Sequence, residues 1–241
     1  GISAILNEYL SRMVECIKAT GGTLDKFIGD AIMAEWNAPV AQADHAARAC
    51  ESALMMMEEL KTLREEWESK GRPFLNSRIG INTGDMVVGN MGSKDIFDYT
   101  VIGSEVNISA RLEPLNKDFG TNIIISENAR DEAERHCPNK FVFRLLTKAA
   151  LKGRAVPLTV IELVGLMDTI EKERLEAIKV YNNGIDNFLR SRFSEAKQLF
   201  QQALEEYPQD GPSKAYISLC EYYENNPPAP GWDGVYIQTS K

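Results

Sequence analysis

Two short strand-like runs, residues 23–28 and 31–36, are separated only by Gly29-Asp30. Strand-like runs joined by two turn-forming residues predict a tight antiparallel hairpin. The carboxylate at its tip would be carried on rigid backbone. Ahead of it, Ile5, Leu6, Tyr9, Leu10, Met13, Val14 and Ile17 recur at helical spacing, and the helix is expected to stop at Gly21-Gly22. This stripe starts with no capping segment, which predicts that the chain begins inside a longer protein. After Pro39, Asp44 is expected to cap a long helix whose inner face is Ala46, Cys50, Ala53, Met57, Leu60, Leu63 and Trp67.

Further strands are expected at residues 78–83, 86–91, 97–102, 122–125, 141–145 and 158–163. Helices fall between them, at residues 106–115 and after a capping Ser126. Strands mixed with helices throughout predict an α+β (α/β layered) sheet rather than a bundle or a sandwich. From about Leu166 the strand signal disappears and three helices are expected. There Gly184, Ala196, Phe200, Ala203 and Pro208 have the spacing of one tetratricopeptide-like helical hairpin. One such repeat cannot bury its own core, so this tail either packs on the main domain or binds protein, a partner subunit or sequence outside this chain.

The balance of 44% hydrophobic and 26% charged residues in 241 is that of a globular chain. A formal net charge of -8 argues against nucleic acid as a partner, because phosphate tracking needs an excess of Lys and Arg. Cys16, Cys50, Cys137 and Cys220 lack the paired spacing of a zinc site or a disulfide framework, and reduced thiols are expected. No run approaches the roughly 20 apolar residues of a membrane-spanning helix. A cytoplasmic domain is expected, compatible with a membrane-anchored parent protein.

Two stretches suggest chemistry. In Asp25-Lys26-Phe27-Ile28-Gly29-Asp30-Ala31, Lys26 and Asp30 stand near the hairpin tip, where Gly29 leaves room for a ligand. On residue types alone, a solvated hairpin with an incidental ion pair explains it as well. In the stretch 97–111, Asn107 and Arg111 lie four apart on an expected helix, hence on one face, and a guanidinium beside a carboxamide suits a transferring phosphoryl group. An Arg paired with a nearby acid is the plainer alternative. His45 and His136 are too few and too separated for a base network, and Met55, Met56 and Met57 cannot all face one core.

Together, Asp25 to Trp36, Arg78 to Gly92 and Phe97 to Leu112 resemble three signature segments of the class III adenylate and guanylate cyclases, in the same order. The resemblance covers about residues 5–163. It implies a ferredoxin-like class III nucleotidyl cyclase fold, here lacking its first strand, with a catalytic domain at 1–165 and a helical extension at 166–241. It further implies that Asp30 is one of two aspartates binding two Mg²⁺ or Mn²⁺ per active site. Lys26 and Thr100 stand at the purine-reading positions, where lysine suits ATP and glutamate marks guanylate cyclases; the Lys and Thr pair resembles the IIIb subclass. Asn107 is similar to the ribose-orienting residue, Arg111 to the one that stabilises pentavalent phosphorus, and Lys152 to the one that holds the triphosphate. The implied assembly is a head-to-tail homodimer with shared sites.

Two departures stand out. The family's first metal aspartate lies in a strand before the opening helix, and this sequence has no such segment; Arg154 replaces a lysine of many relatives. The expectation is therefore an adenylate cyclase domain, against a catalytically silent dimerisation module or a guanylate cyclase.

Overall fold

The computed structural model of the chain describes residues 2–93, 95, 97–151 and 156–237. Helix α1 (Ile2–Ala19) leads into β1 (Thr23–Ile28) and β2 (Ala31–Glu35), which pair antiparallel with Ile28 opposite Ala31. Gly29 closes the turn at φ +66°, a left-handed conformation that costs a glycine little. Helix α2 (His45–Ser69) buries Ala46, Cys50, Ala53, Leu60, Leu63 and Trp67, as the periodicity predicts, and leaves Met57 half-buried. Asp44 does stand at its N-cap position but makes no capping bond. Its carboxylate instead accepts from Arg48 Nε at 2.7 Å, a partner one turn ahead that competes with the backbone amides.

The chain continues through β3 (Ile79–Ile81), β4 (Val87–Gly92) and β5 (Phe97–Ile102) to α3 (Ser104–Leu112) and α4 (Leu115–Phe119). The single helix expected at 106–115 is thus two, with Pro114 between them, where a missing N–H and a bulky ring disfavour an unbroken helix. Next come β6 (Ile123–Ser126), α5 (Glu127–His136), β7 (Phe141–Ala150) and β8 (Leu158–Leu166). Ser126 caps α5, its Oγ accepting from the Ala129 N–H at 3.2 Å.

The last segments are α6 (Lys172–Leu189), α7 (Phe193–Glu206), α8 (Gly211–Asn225) and β9 (Val235–Ile237). The main sheet runs β3-β6-β8-β7-β9, with β3–β6 and β7–β9 parallel and the other pairs antiparallel. The hairpins β1–β2 and β4–β5 stand outside it. Helix α2 bridges β1–β2 to the sheet: one apolar cluster joins it to Ile32 of β2, another to Ile79 and Ile81 of β3. Among the described residues, β2 and β3 each keep an edge with no strand partner.

The expected loss of strand after Leu166 fails at β9, which adds to the sheet beside β7. Three residues are too few to show a period of two. The tail helices share one core with the sheet: Leu146, Ala149 and Val160 pack with Tyr181, Phe188, Phe200 and Tyr216. Tyr181 and Tyr216 also donate their hydroxyls to the backbone carbonyls of Leu145 and Leu146. Within α6–α7, Gly184 lies against the buried ring of Phe200, which a side chain there would strike.

Beneath this core, Arg144 of β7 is 2% exposed and donates to Glu162 of β8 and Asp210 ahead of α8. Burial alone would lower its pKa, but the two carboxylates outweigh burial and raise it. Its guanidinium also lies 4.7 Å from the Tyr181 ring centroid.

Candidate active site

An aspartate in a strand is uncommon, and a buried one requires partners. Asp25 of β1 sits at an irregularity in the β1–β2 register, between Leu24 and Lys26, and its side chain has no exposure. Its Oδ2 accepts from Thr100 Oγ1 at 2.6 Å and from the Val101 N–H at 3.2 Å. The Lys26 ammonium lies 3.2 Å from Oδ1, as an ion pair without hydrogen-bond geometry. One buried carboxylate therefore brings Lys26 and Thr100 together across 74 positions of sequence (100 − 26) and ties hairpin β1–β2 to hairpin β4–β5.

Glu35, near the end of β2, faces the same acid. Both of its carboxylate oxygens are buried without a hydrogen-bond partner. Burial, and then the charge of Asp25, push its pKa up to about 7, with Lys26 acting against them.

Asp30 is exposed at the hairpin tip, and a side chain at the adjacent Gly29 would meet open space. A hard carboxylate oxygen fits a divalent cation in type. In number the set falls short: among the described residues no group of three or more His, Cys, Asp or Glu side chains is placed to hold a metal.

Helix α3 carries the other two candidates. Ile108 and Leu112 face the core, while Asn107 and Arg111, each one residue earlier, are exposed and half-buried respectively. Asn107 Nδ2 donates to the Gly103 carbonyl at 3.3 Å, within its own helical turn, and this bond does not join it to Lys26 or Thr100. The helix is seated firmly on β3. A Cβ at Gly80 would fall 2.2 Å from the Ser109 carbonyl oxygen, so only glycine permits the crossing. Asn82 donates to both the carbonyl and the carboxylate of Glu105 at 2.9 Å, Arg78 pairs with Glu113 at 2.7 Å, and Asn116 donates to the Ile79 carbonyl at 3.0 Å. Lys152, the last candidate, lies outside the described residues.

Of the residues singled out from sequence, the structure thus joins Lys26 with Thr100, holds Asp30 on the same hairpin as Lys26, and presents Asn107 and Arg111 on α3. Nothing in the spacing of the sequence marks Asp25. Its one signal is the only acid in a six-residue strand, next to Lys26 and between Leu24 and Phe27.

The fold first defines a class: an α+β domain with a mixed sheet, two hairpins outside it, and a helix clamped over the edge strand. Residues 2–164 match the adenylate and guanylate cyclase catalytic domain family, and the chain belongs to that family. It is 38% identical over 169 residues to adenylate cyclase 1 of Rhizobium meliloti (strain 1021), covering 70% of this chain and 25% of that protein. Among solved structures it resembles the adenylyl cyclase CyaB from P. aeruginosa, with TM-score 0.59, 31% identity, and coverage of 67% of this chain and 81% of that one. It also resembles the guanylyl cyclase Cya2, with TM-score 0.61, 30% identity, and coverage of 70% and 83%. The chain spans only a quarter of the length of the Rhizobium relative. Members of this family bind a nucleotide, dimerise and generally use divalent metal ions.

Proposed function

We propose that this chain is the catalytic domain of an adenylate cyclase, converting ATP to 3′,5′-cyclic AMP and pyrophosphate. The observation that carries this reading is the pairing of Lys26 and Thr100 on Asp25, which gathers the two purine-reading positions of the family at one point. A cation at this position is the choice that suits adenine. The names of the Rhizobium and P. aeruginosa relatives support the same nucleotide.

In the reaction the ribose 3′-oxygen attacks the α-phosphorus in line. The new O3′–P bond forms as the bond to the β-phosphate oxygen breaks, and the 3′-hydroxyl proton passes to solvent. Lys26 and Thr100 hold the base and Asn107 orients the ribose, so that the 3′-oxygen stands opposite the leaving pyrophosphate. Arg111 offsets negative charge as it develops on the equatorial oxygens, and Lys152 holds the triphosphate. Asp30 would supply one carboxylate ligand to the divalent ions of the site, two Mg²⁺ or Mn²⁺ by the family's resemblance, whose charge would offset that of the phosphates.

The working unit is a head-to-tail homodimer. Exposed Phe27, Ile28, Val87, Phe97, Tyr99 and Ile102 gather apolar surface on the same two hairpins that carry Lys26, Asp30 and Thr100, which favours their burial against a second copy. Functionally the chain divides into a catalytic domain at 1–165 and a helical extension at 166–241 that braces it. Among the described residues no helix is long and apolar enough to cross a membrane. The site of action is the cytoplasm, where ATP is available and its four free cysteines stay reduced.

The likeness to the guanylyl cyclase Cya2 favours GTP as the second reading. The test is Mn²⁺-dependent turnover of the full-length protein with ATP and with GTP. Cyclic AMP formed faster than cyclic GTP is the expected result. A preference for GTP overturns the nucleotide assignment, and no product from either leaves a silent dimerisation module.

A further inference from the structure

Thr100 has a single hydroxyl proton and two lone pairs, and which of them a ligand meets depends on where the proton goes. Here it goes to Asp25, at 2.6 Å. Paired with Lys26, Asp25 is an acceptor with no proton to return. It also cannot rotate freely, because the same Oδ2 takes the Val101 N–H and the side chain is fully enclosed. Toward any further partner Thr100 can therefore offer only its lone pairs and is an obligate acceptor, while Lys26, 38% exposed in its side chain, is an obligate donor.

A donor beside an acceptor complements the Watson–Crick edge of adenine, which offers the N1 lone pair next to the N6 amino group. Guanine presents the reverse, N1–H beside the O6 acceptor. Against guanine the locked hydroxyl would set lone pair against lone pair, and a site that leaves a polar group unpaired rejects the wrong ligand strongly.

We propose that Asp25 is a positioning residue that sets the purine preference of this domain, by consuming the Thr100 proton so that the hydroxyl can only accept from an adenine N6 amino group. The proposal rests on the cyclase reading above. It also accounts for a buried strand aspartate that folding alone would disfavour.

The test compares kcat/KM for ATP and GTP in the full-length protein, for wild type, Asp25→Ala, Thr100→Ser, Thr100→Val and the double variant Asp25→Ala/Thr100→Val. Asp25→Ala frees the hydroxyl to donate, and the ATP:GTP ratio is expected to fall by about 10-fold, the size of one mispolarised hydrogen bond. Thr100→Val should lower it similarly and Thr100→Ser should keep it. The double variant should fall no further than Thr100→Val, since Asp25 acts through Thr100. Equal losses with both nucleotides in Asp25→Ala, or additive effects in the double variant, overturn the proposal. If Asp25→Ala does not fold, Asp25→Leu fills the same space without an acceptor and should lower the ratio in the same way, and an unchanged ratio in Asp25→Leu or in Thr100→Val overturns the proposal. A wild type that turns over neither nucleotide sinks the cyclase reading and this proposal with it, whereas an active wild type with an insensitive ratio sinks only the role of Asp25.

Discussion

Arg144 Nη1 donates to Asp210 Oδ1 at 2.7 Å, and this one bond ties the catalytic sheet to the loop that starts the last helix of the tail. Asp210 also caps that helix, its Oδ2 accepting from the Ser213 N–H at 3.0 Å. With Glu162 on the other side of the guanidinium, three charges lie in an enclosed site. Removing Arg144 costs more than the set contributes, because two buried carboxylates lose the cation between them, Glu162 keeping only Arg174 at 3.5 Å and Asp210 only its bonds from Ser213. Arg144→Met is expected to destabilise the protein by about 3–5 kcal/mol, and adding Glu162→Gln to return part of the loss. Urea denaturation of the three proteins measures both effects.

At Gly80 the obstacle to a side chain is backbone: a Cβ there meets the Ser109 carbonyl oxygen and, at 2.7 Å, the Glu113 amide nitrogen. Neither can swing aside as a side-chain tip could. Gly80→Ala should therefore lift α3 from β3, costing about 1–3 kcal/mol in stability. Because α3 carries Asn107 and Arg111, cyclase activity should drop by about 100-fold, the penalty of a displacement near 1 Å. Thermal unfolding and turnover on the same preparation check the two together.

Glu35 makes stability depend on pH in an unusual direction for an acid. The folded protein holds its proton up to about pH 7, against an ordinary value of 4.5. Between those limits the folded state binds more protons than the unfolded one, so stability falls as pH rises through the window. Wild type should lose more of its Tm between pH 5 and pH 8 than Glu35→Gln, which carries no titrating proton. Scanning calorimetry across that range decides it, and parallel curves would be the contrary result.

The proposed sharing of sites between two chains has a direct consequence for mixtures. Asp30→Asn and Arg111→Ala should each reduce turnover by about 100-fold or more. If Asp30 and Arg111 of one site come from different chains, a mixed dimer has one intact site and one doubly damaged site. Random exchange makes half the dimers mixed, so activity should return to about one quarter of wild type. Absence of rescue after verified exchange would mean that each site belongs to a single chain.

The β1–β2 hairpin, the inner face of α2 and the Ser126 cap were legible because each is written in neighbouring residues: a turn pair, a helical period, a hydroxyl before a helix. The expected Asp44 cap was not met, since a capping oxygen and an ion-pair oxygen are the same atom and Arg48 is within reach of it. Strand β7 runs to Ala150, well past the expected Leu145, because β8 and β9 pair with its second half and supply what its own pattern does not announce. For the site, Lys26, Asp30, Thr100, Asn107 and Arg111 were named from sequence. The acid joining two of them was not, since its meaning depends on a strand three quarters of a hundred residues away.

By itself, then, the sequence determined the family, most of the order of strands and helices up to β8, and the residue types available for nucleotide chemistry, all of which follow from local pattern and recognisable motifs. Only the tertiary structure decided that the tail shares the sheet's core and returns a strand to it, and that Asp25 accepts the Thr100 hydroxyl. Burial and hydrogen-bond direction arise from groups far apart in the chain, and no local pattern encodes them.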